Sequence, residues 1–280
     1  MANQSAQPVF EVHAGQSPVI LAFPHTGTWL PENISARLND NGCLLADTDW
    51  HIHDLYRDLL PGATKVRALF HRYAVDANRD PAGSSLYPGQ NTTGLVPETD
   101  FDGLAIWKAG EEPTEADIAQ RLDDFHAPYH AALLAEIRRV KAIHGVAVLY
   151  DCHSIRSLIP FLFEGKLPDF NIGTDGGVTC DPALEAAAVD ICGQAAGFTT
   201  ILNGRFKGGW TTRHYGQPQT GLHAIQMEIA QSAYLAAETV PFPYDAARAD
   251  ALRRVLTRLL GQLETIALDL AARQRANPSE

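Results

Sequence analysis

Histidine, glutamate and arginine side chains follow closely after several apolar runs of this sequence. His153 stands in "DCHS", after the apolar run 146–150, and His25 follows "PVILAFP". Glu228 ends a third run, in "HAIQMEIA". Two neutral imidazoles and one oxygen ligand can hold a zinc ion with an open coordination position, and a separate carboxylate can then act as a base. The pattern therefore indicates a metal-dependent hydrolase.

Cationic side chains follow a fourth apolar run, in "ALFHRYAVDANRDP". This stretch contains Arg72, Asn78 and Arg79. A cation beside a reacting carbonyl stabilises the oxyanion that develops during hydrolysis, and arginine also binds planar carboxylates through paired hydrogen bonds. We expect these three residues to bind an anionic substrate and its transition state.

Several of the polar residues also have a purely structural interpretation. Asp151 could be a turn residue or could accept a hydrogen bond from an imidazole. Asp49 could cap the short helix that is predicted to begin within its motif, "DTDWHIHDLY". His126 and His130 have the i,i+4 spacing of a helical metal site, but Pro128 lies between them and no HExxH frame is present. We interpret that pair as mainly structural, with a position facing the cleft as the alternative.

The apolar runs themselves are typical of buried strands. The six predicted strands cover residues 19–23, 65–70, 146–150, 170–172, 199–202 and 224–229. Helical patterns lie between and after them, at 114–145, 182–196 and 244–273. Strands that alternate with helices predict an α/β sheet covered on both faces. In such sheets ligands bind outside the carboxyl ends of the strands, where we expect the polar residues to lie.

The length of 280 residues suits one α/β domain, and we expect residues 1–280 to form a single domain. Residues 80–112 are rich in glycine, proline, asparagine and threonine and show no period. A stretch of this length without regular structure is uncommon in a compact domain. We therefore expect it to be an irregular excursion or a lid.

Composition limits the partners and the location. The net charge of −11 argues against nucleic acid or an anionic membrane surface as the main partner. No apolar run approaches the roughly 18–20 residues of a membrane span. The start, "MANQSAQPVF", lacks the pattern of a signal peptide, which favours a cytoplasmic protein. The four cysteines form no CxxC pair, so we expect free thiols.

Five segments together carry a resemblance to a known family. In this order they are "FPHTGTWLPENI", "DTDWHIHDLY", "RYAVDANRDP", "DCHSI" and "KGGWTTRHYG". From about residue 19 to residue 234 the chain resembles the N-formylglutamate deformylase (amidohydrolase) family, whose fold is similar to that of zinc carboxypeptidases and aspartoacylase. The resemblance implies a three-layer α/β/α fold with a mixed central sheet. It also implies that one divalent metal ion, zinc, supports hydrolysis of N-formyl-L-glutamate to formate and L-glutamate, the last step of a histidine degradation route.

The resemblance also implies a set of metal ligands. His25 and His153 match the two histidine ligands. In the aspartoacylase relatives a glutamate ligand follows the first histidine by three residues, but this chain has Thr28 there. The oxygen ligand must therefore come from elsewhere. We expect Asp49 to supply it, with Asp47 as the alternative.

The remaining roles concern catalysis and the substrate. Glu228 matches the catalytic glutamate of the relatives, and Arg72 matches the arginine that polarises the carbonyl. Asn78 and Arg79 match the pair that grips a substrate carboxylate. Arg213, in "TTRHYG", is a candidate for the second carboxylate of a small dicarboxylate substrate.

Other functions remain open at this point. The chain could be another N-acyl amino acid amidohydrolase or a carboxypeptidase-like enzyme of the same fold. It could also be a non-catalytic binding protein with a decayed site, an interpretation that only Thr28 supports. Assembly into a homo-oligomer is a further open possibility.

Overall fold

A mixed seven-stranded sheet forms the centre of the protein in the computed structural model, which describes residues 7–85 and 89–276. The strands are β1 (Phe10–His13), β2 (Val19–Phe23), β3 (Thr64–Ala68), β4 (Ala147–Ile155), β5 (Phe170–Gly173), β6 (Thr200–Leu202) and β7 (Leu222–Ala230). Their order across the sheet is β1-β3-β2-β4-β7-β5-β6. The four strands β3, β2, β4 and β7 are parallel, whereas β1 pairs antiparallel with β3 and β5 antiparallel with β7. The predicted α/β fold with a mixed sheet is confirmed.

Helices cover both faces of this sheet. They are α1 (Glu32–Ser35), α2 (Ile52–Leu55), α3 (Glu115–Arg121), α4 (Ala127–His144), α5 (Pro182–Gly193), α6 (Trp210–Tyr215) and α7 (Ala246–Ala276). The apolar side chains of α2, α5 and α7 belong to the core on one face, and those of α4 to the core on the other. Three layers result, helices on either side of the sheet.

The strand β2 shows why a continuous apolar run was needed. Val19, Leu21 and Phe23 pack into the core that contains α7. Ile20 and Ala22 pack into the core that contains α4. Since neighbouring side chains of a strand point to opposite faces, a strand buried on both sides must be apolar at every position.

Two central strands are longer than their apolar runs. β4 and β7 pair in parallel up to Ile155 and Ala230, and His153 lies opposite Glu228 within this ladder. The expectation that His153 follows the end of its strand is therefore wrong, because backbone pairing continues through the polar residues, whereas Glu228 lies within its strand as predicted. His25 does lie beyond its strand, two residues after the end of β2.

The predicted helix boundaries are mostly close to those observed. Thr114 and Asp117 form a capping box at the start of α3, and Gly145 ends α4 with a φ of 83°, in the region that glycine adopts without strain. Between α3 and α4, however, Leu122–His126 is a π-helical turn that the periodicity did not predict. The short helix α2 is preceded by His51, without a side-chain cap, so Asp49 does not cap it.

The remaining expectations concern residues outside the regular elements. In residues 80–85 and 89–112 the structure has no helix or strand, while residues 86–88 of the predicted excursion, like residues 1–6 and 277–280, lie outside the described part. All four cysteines are unpaired, as predicted, and Cys43 alone among them is exposed. No helix in the described ranges is long and apolar enough to cross a bilayer.

Candidate active site

A cavity opens at the carboxyl end of the parallel strands. This central cavity is lined by polar residues from several loops and strands. They include His25, Asp49, Arg72, Asn78, Arg79, His153 and Glu228. Each of these seven residues was predicted to belong to the site. They come from the loops that follow β2 and β3, from the loop before α2, and from the carboxyl-terminal parts of β4 and β7. The parallel sheet brings them together because these strands all end at one edge.

Three of these side chains form a compact cluster of nitrogen and oxygen donors. One donor atom each from His25, Asp49 and His153 lies within 4.8 Å of the other two. Nδ1 of His153 is 3.2 Å from Oδ2 of Asp49, and Nδ1 of His25 is 3.8 Å from the same oxygen. The backbone N–H of Asp49 donates to the carbonyl of His25 at 3.0 Å, which ties the two loops together.

The outer nitrogen of each imidazole has a partner of its own. Nε2 of His25 bonds to Oδ1 of Asp76 at 2.7 Å. Nε2 of His153 lies 3.1 Å from Oδ1 of Asp151 and bonds to the amide of Asn78 at 3.1 Å. A carboxylate bonded behind a histidine, as Asp76 is behind His25, orients the ring and raises its basicity as a ligand. Both rings turn Nδ1 toward Asp49.

The charge state of the cluster suits a cation. Burial, assisted by the positive charge of Arg72, lowers the pKa of His25, which favours the neutral imidazole that a metal ligand requires. Burial would also lower the pKa of His153, but the carboxylates of Asp151 and Asp49 outweigh burial and raise that pKa well above its usual value. An environment that holds a proton so strongly also attracts a divalent cation.

These three residues fit a metal ion by their donor types. Two imidazoles and one carboxylate are a common ligand set of catalytic zinc sites, in which a fourth position stays open. All three side chains are buried, which limits their motion and their hydration. The structure groups Asp49, rather than the alternative Asp47, with the histidines. Asp47 instead accepts the backbone N–H of Phe101 through both carboxylate oxygens, at 3.2 and 3.1 Å.

Glu228 and Arg72 lie beside this cluster. Glu228 faces His153 across the β4–β7 ladder, and burial raises its pKa to about 8. Arg72 forms a hydrogen-bonded ion pair with Asp76, and its guanidinium lies 4.7 Å from the ring centre of Phe101. Within residues 7–85 and 89–276 the buried Nε of Arg72 has no hydrogen-bond partner. This donor is available to an oxygen atom in the cavity.

Comparison with known proteins identifies the family. The family model for N-formylglutamate amidohydrolase matches residues 17–235. The chain is 44% identical over 258 residues to N-formylglutamate deformylase of Pseudomonas aeruginosa, which covers 91% of this chain and 96% of the relative. The deformylase of Pseudomonas putida has the same identity over the same length. The chain belongs to the N-formylglutamate amidohydrolase family.

Solved structures share the fold of this chain. N-formylglutamate amidohydrolase from Ralstonia eutropha superimposes with a TM-score of 0.73 at 24% identity, over 96% of this chain and 98% of that one. A gene product of Agrobacterium tumefaciens gives a TM-score of 0.69 at 20% identity. At these identities the likeness supports the fold alone. Membership of the N-formylglutamate amidohydrolase family, with relatives at 44% identity, makes the chain a hydrolase that acts on an amide bond.

One residue with a predicted role in substrate binding is not brought to the cavity. Arg213 is absent from the lining of the central cavity. Its Nη2 lies 3.3 Å from Asp175, and its Nε donates to the carbonyl of Gly208 at 2.9 Å. The reason is local, since Arg213 lies one turn into α6, whose first residue follows the cavity-lining Gly209.

Two residues at or beside the cavity were not singled out from the sequence. Arg205 lines the central cavity, and its guanidinium donates to the carbonyls of Leu162 and Asn91 at 3.1 and 2.8 Å. Asp76 is fully buried and holds His25 and Arg72. Asp76 does stand inside the quoted segment "RYAVDANRDP", so a carboxylate between the two arginines was a usable signal.

Proposed function

We propose that this chain hydrolyses N-formyl-L-glutamate to formate and L-glutamate with one zinc ion held by His25, Asp49 and His153. The observation that carries the proposal is the shared cavity, in which the three metal-type donors lie with Glu228 and three arginines. Family membership supports the substrate, because relatives at 44% identity are named N-formylglutamate deformylase. The same resemblance implies that the reaction ends a histidine degradation route.

The chemistry is divided between the ion and the protein. When bound, the ion supplies a Lewis acid that makes water more acidic and polarises a carbonyl. Glu228 accepts a proton from the attacking water and returns it to the amine of the departing glutamate. Arg72 donates from Nε to the oxygen of the formyl group, where negative charge develops.

The two carboxylates of the substrate need cationic partners. Arg79 and Arg205 both line the central cavity, and each is held by hydrogen bonds to backbone carbonyls. A guanidinium with a fixed orientation suits paired hydrogen bonds to a planar carboxylate. We assign these two arginines to the two carboxylates, in place of the pair Arg79 and Arg213 that the sequence favoured.

The proposal is tested by the products from a panel of substrates. The purified protein is supplied with N-formyl-L-glutamate, N-acetyl-L-glutamate and a peptide with a C-terminal glutamate, and formate, acetate and free amino acid are measured. We expect formate release to have the highest kcat/KM. A preference for the acetyl compound or the peptide would instead favour the other amidohydrolases and the carboxypeptidases of this fold. Binding of all three without turnover would favour a decayed site.

The carboxylate assignment is tested with N-formyl-L-glutamine, whose side-chain amide is uncharged. Loss of a charged partner in a buried site costs roughly 2–5 kcal/mol, so wild-type kcat/KM should fall by about 30-fold or more. Alanine at whichever of Arg79 and Arg205 binds the side-chain carboxylate should narrow this gap in kcat/KM between the two substrates. Arg213→Ala is the matched control, because it removes an arginine outside the cavity, and should leave the gap as it is. A gap that closes in the Arg213 variant alone would restore the original assignment.

A further inference from the structure

The segment 77–79 contributes the side chains of Asn78 and Arg79 to the central cavity. Two histidines bond to backbone carbonyls of this segment. Nε2 of His130 lies 2.7 Å from the carbonyl oxygen of Ala77. Nε2 of His126 lies 3.1 Å from the carbonyl oxygen of Arg79. A carbonyl oxygen can only accept a hydrogen bond, so each imidazole donates from Nε2–H.

The protonation state of this second pair is consistent with two neutral donors. Nδ1 of His130 lies 3.1 Å from the hydroxyl of Tyr215, from which it accepts when its proton is on Nε2. Burial lowers the pKa of His130 to about 3, and burial also lowers the pKa of His126. Each ring therefore keeps one N–H near neutral pH, and each N–H is used on a backbone carbonyl.

The helix that carries the pair is locally adapted. His126 is the last residue of the π-helical turn Leu122–His126, and His130 follows it by one turn of α4. Residues four apart on a helix share a face, and the two ring centroids are 4.4 Å apart. Pro128, which has no N–H, lies between them. Single π-helical turns are frequent at functional sites, which is consistent with a role for this irregularity.

Asn78, between the two bonded carbonyls, is also held from the opposite side. Its Oδ1 accepts the backbone N–H of Thr211 at 2.9 Å, and a Cβ atom at Gly209 would clash with its amide group. The ring of Trp210, between these two residues, packs against both imidazoles, with centroids 5.5 and 4.8 Å away. The histidines and the start of α6 thus enclose the 77–79 segment.

We propose that His126 and His130 are positioning residues for the substrate. By holding the carbonyls of Ala77 and Arg79, they fix the direction in which Asn78 and Arg79 face the central cavity. They neither bind the metal ion nor transfer a proton. The inference rests on the proposed function, since it gives Arg79 a substrate carboxylate to bind.

Two variants at His130 distinguish loss of the hydrogen-bond donor from loss of side-chain volume. His130→Leu removes the N–H and keeps an apolar group of similar size, whereas His130→Gln keeps an N–H that can reach the carbonyl. Leucine leaves the carbonyl of Ala77 buried without its donor, so we expect KM for N-formyl-L-glutamate to rise by about tenfold or more. We expect kcat to change much less, metal content to stay at the wild-type level, and the Gln variant to recover most of the lost affinity.

Two further variants keep the test decisive. His126→Leu makes the same change at the other carbonyl and replaces His130→Leu if that protein does not fold. His144→Leu is the matched control, because it lies at the end of the same helix, outside the contacts with residues 77–79. An unchanged KM in the folded Leu variants would overturn the proposal. Loss of metal in those variants, or a Gln variant with recovered melting temperature and unrecovered KM, would also overturn it.

A second readout is independent of turnover. Amide hydrogen exchange of a peptide that covers residues 77–79 should be faster in the Leu variants at positions 126 and 130 than in wild type and in His144→Leu. Equal exchange in all of these proteins would contradict the positioning role. If wild-type protein releases no formate from N-formyl-L-glutamate, the proposed function fails, and the exchange result still decides whether the histidines hold the segment.

Discussion

The protein contains two pairs of buried histidines in which the two rings of a pair lie close together. The ring nitrogens of the two pairs have different partners. The ring centroids of His25 and His153 are 5.0 Å apart, and those of His126 and His130 are 4.4 Å apart. The first pair turns two nitrogens toward the carboxylate of Asp49, whereas the second pair bonds to backbone carbonyls. Closeness of imidazoles alone therefore does not identify a metal site. The group that faces each ring nitrogen distinguishes a metal site from a hydrogen-bonded pair.

The two pairs also differ in how the chain brings them together. His126 and His130 are neighbours on one helix, so their proximity follows from the sequence spacing alone. His25 and His153 meet because β2 and β4 are adjacent parallel strands. The pair with the familiar helical spacing bonds to backbone carbonyls, and the pair far apart in sequence is the candidate metal site.

The largest expected effect separates the pairs by metal content. His153→Ala removes one of three protein ligands, so bound metal and formate release should both fall to background. His126→Ala is the matched change in the other pair, and that protein should keep its metal. Elemental analysis after desalting, alongside the formate assay, checks both. Wild-type metal content in the His153 variant would remove the distinction between the pairs.

A smaller loss is expected where the metal stays and the base is removed. Glu228→Gln preserves size but cannot accept the proton of the attacking water. The rate should drop by about 10²–10⁴-fold with normal metal content. Glu136→Gln, the same change at a glutamate that pairs with Arg139 on α4, serves as the control. Wild-type turnover in the Glu228 variant would mean that the base lies elsewhere.

The smallest expected effect is on the pH dependence of stability, and it depends on the neutral state of His130 in the second pair. In the unfolded chain His130 binds a proton near its usual pKa of 6.5, but in the folded protein only near 3. The unfolded state thus binds more protons within this window, and the free energy of unfolding falls as pH is lowered through it. Between pH 7.5 and 5.5 the wild type should lose about 1.4 kcal/mol more than His130→Gln.

Urea unfolding of both proteins, with a chelator present, measures this difference. The chelator removes the pH dependence of metal binding from the comparison. Equal losses in the two proteins would show that the folded imidazole takes up its proton at the usual pH. The interpretation of His130 as a neutral donor would then be wrong.

The fold could be predicted where apolar pattern alone determines it. The run that forms β2 is buried on both faces, and such runs predicted six of the seven strands. β1 was missed because it is a four-residue edge strand that alternates apolar and polar residues and has no fully buried side chain. The polar end of β4 was missed because its pairing depends on the neighbouring strand β7, which no local pattern records.

The site was predictable to the level of motifs. The histidines, Glu228 and Arg72 were identified because each belongs to a short segment with a family resemblance. The choice between Arg205 and Arg213 depends on how the loop before α6 folds, since both arginines lie in the stretch "GRFKGGWTTR". Asp76 was missed for a similar reason, because its contacts to His25 and Arg72 exist only after the loops meet.

The central claim is that an ion held by His25, Asp49 and His153 is required for amide hydrolysis. The most direct test strips the wild-type protein with a chelator and then adds zinc in steps. Bound metal and formate release from N-formyl-L-glutamate are measured at each step. We expect stripping to abolish formate release and activity to return in proportion to bound zinc, up to one ion per chain. Full activity in the stripped protein would contradict it.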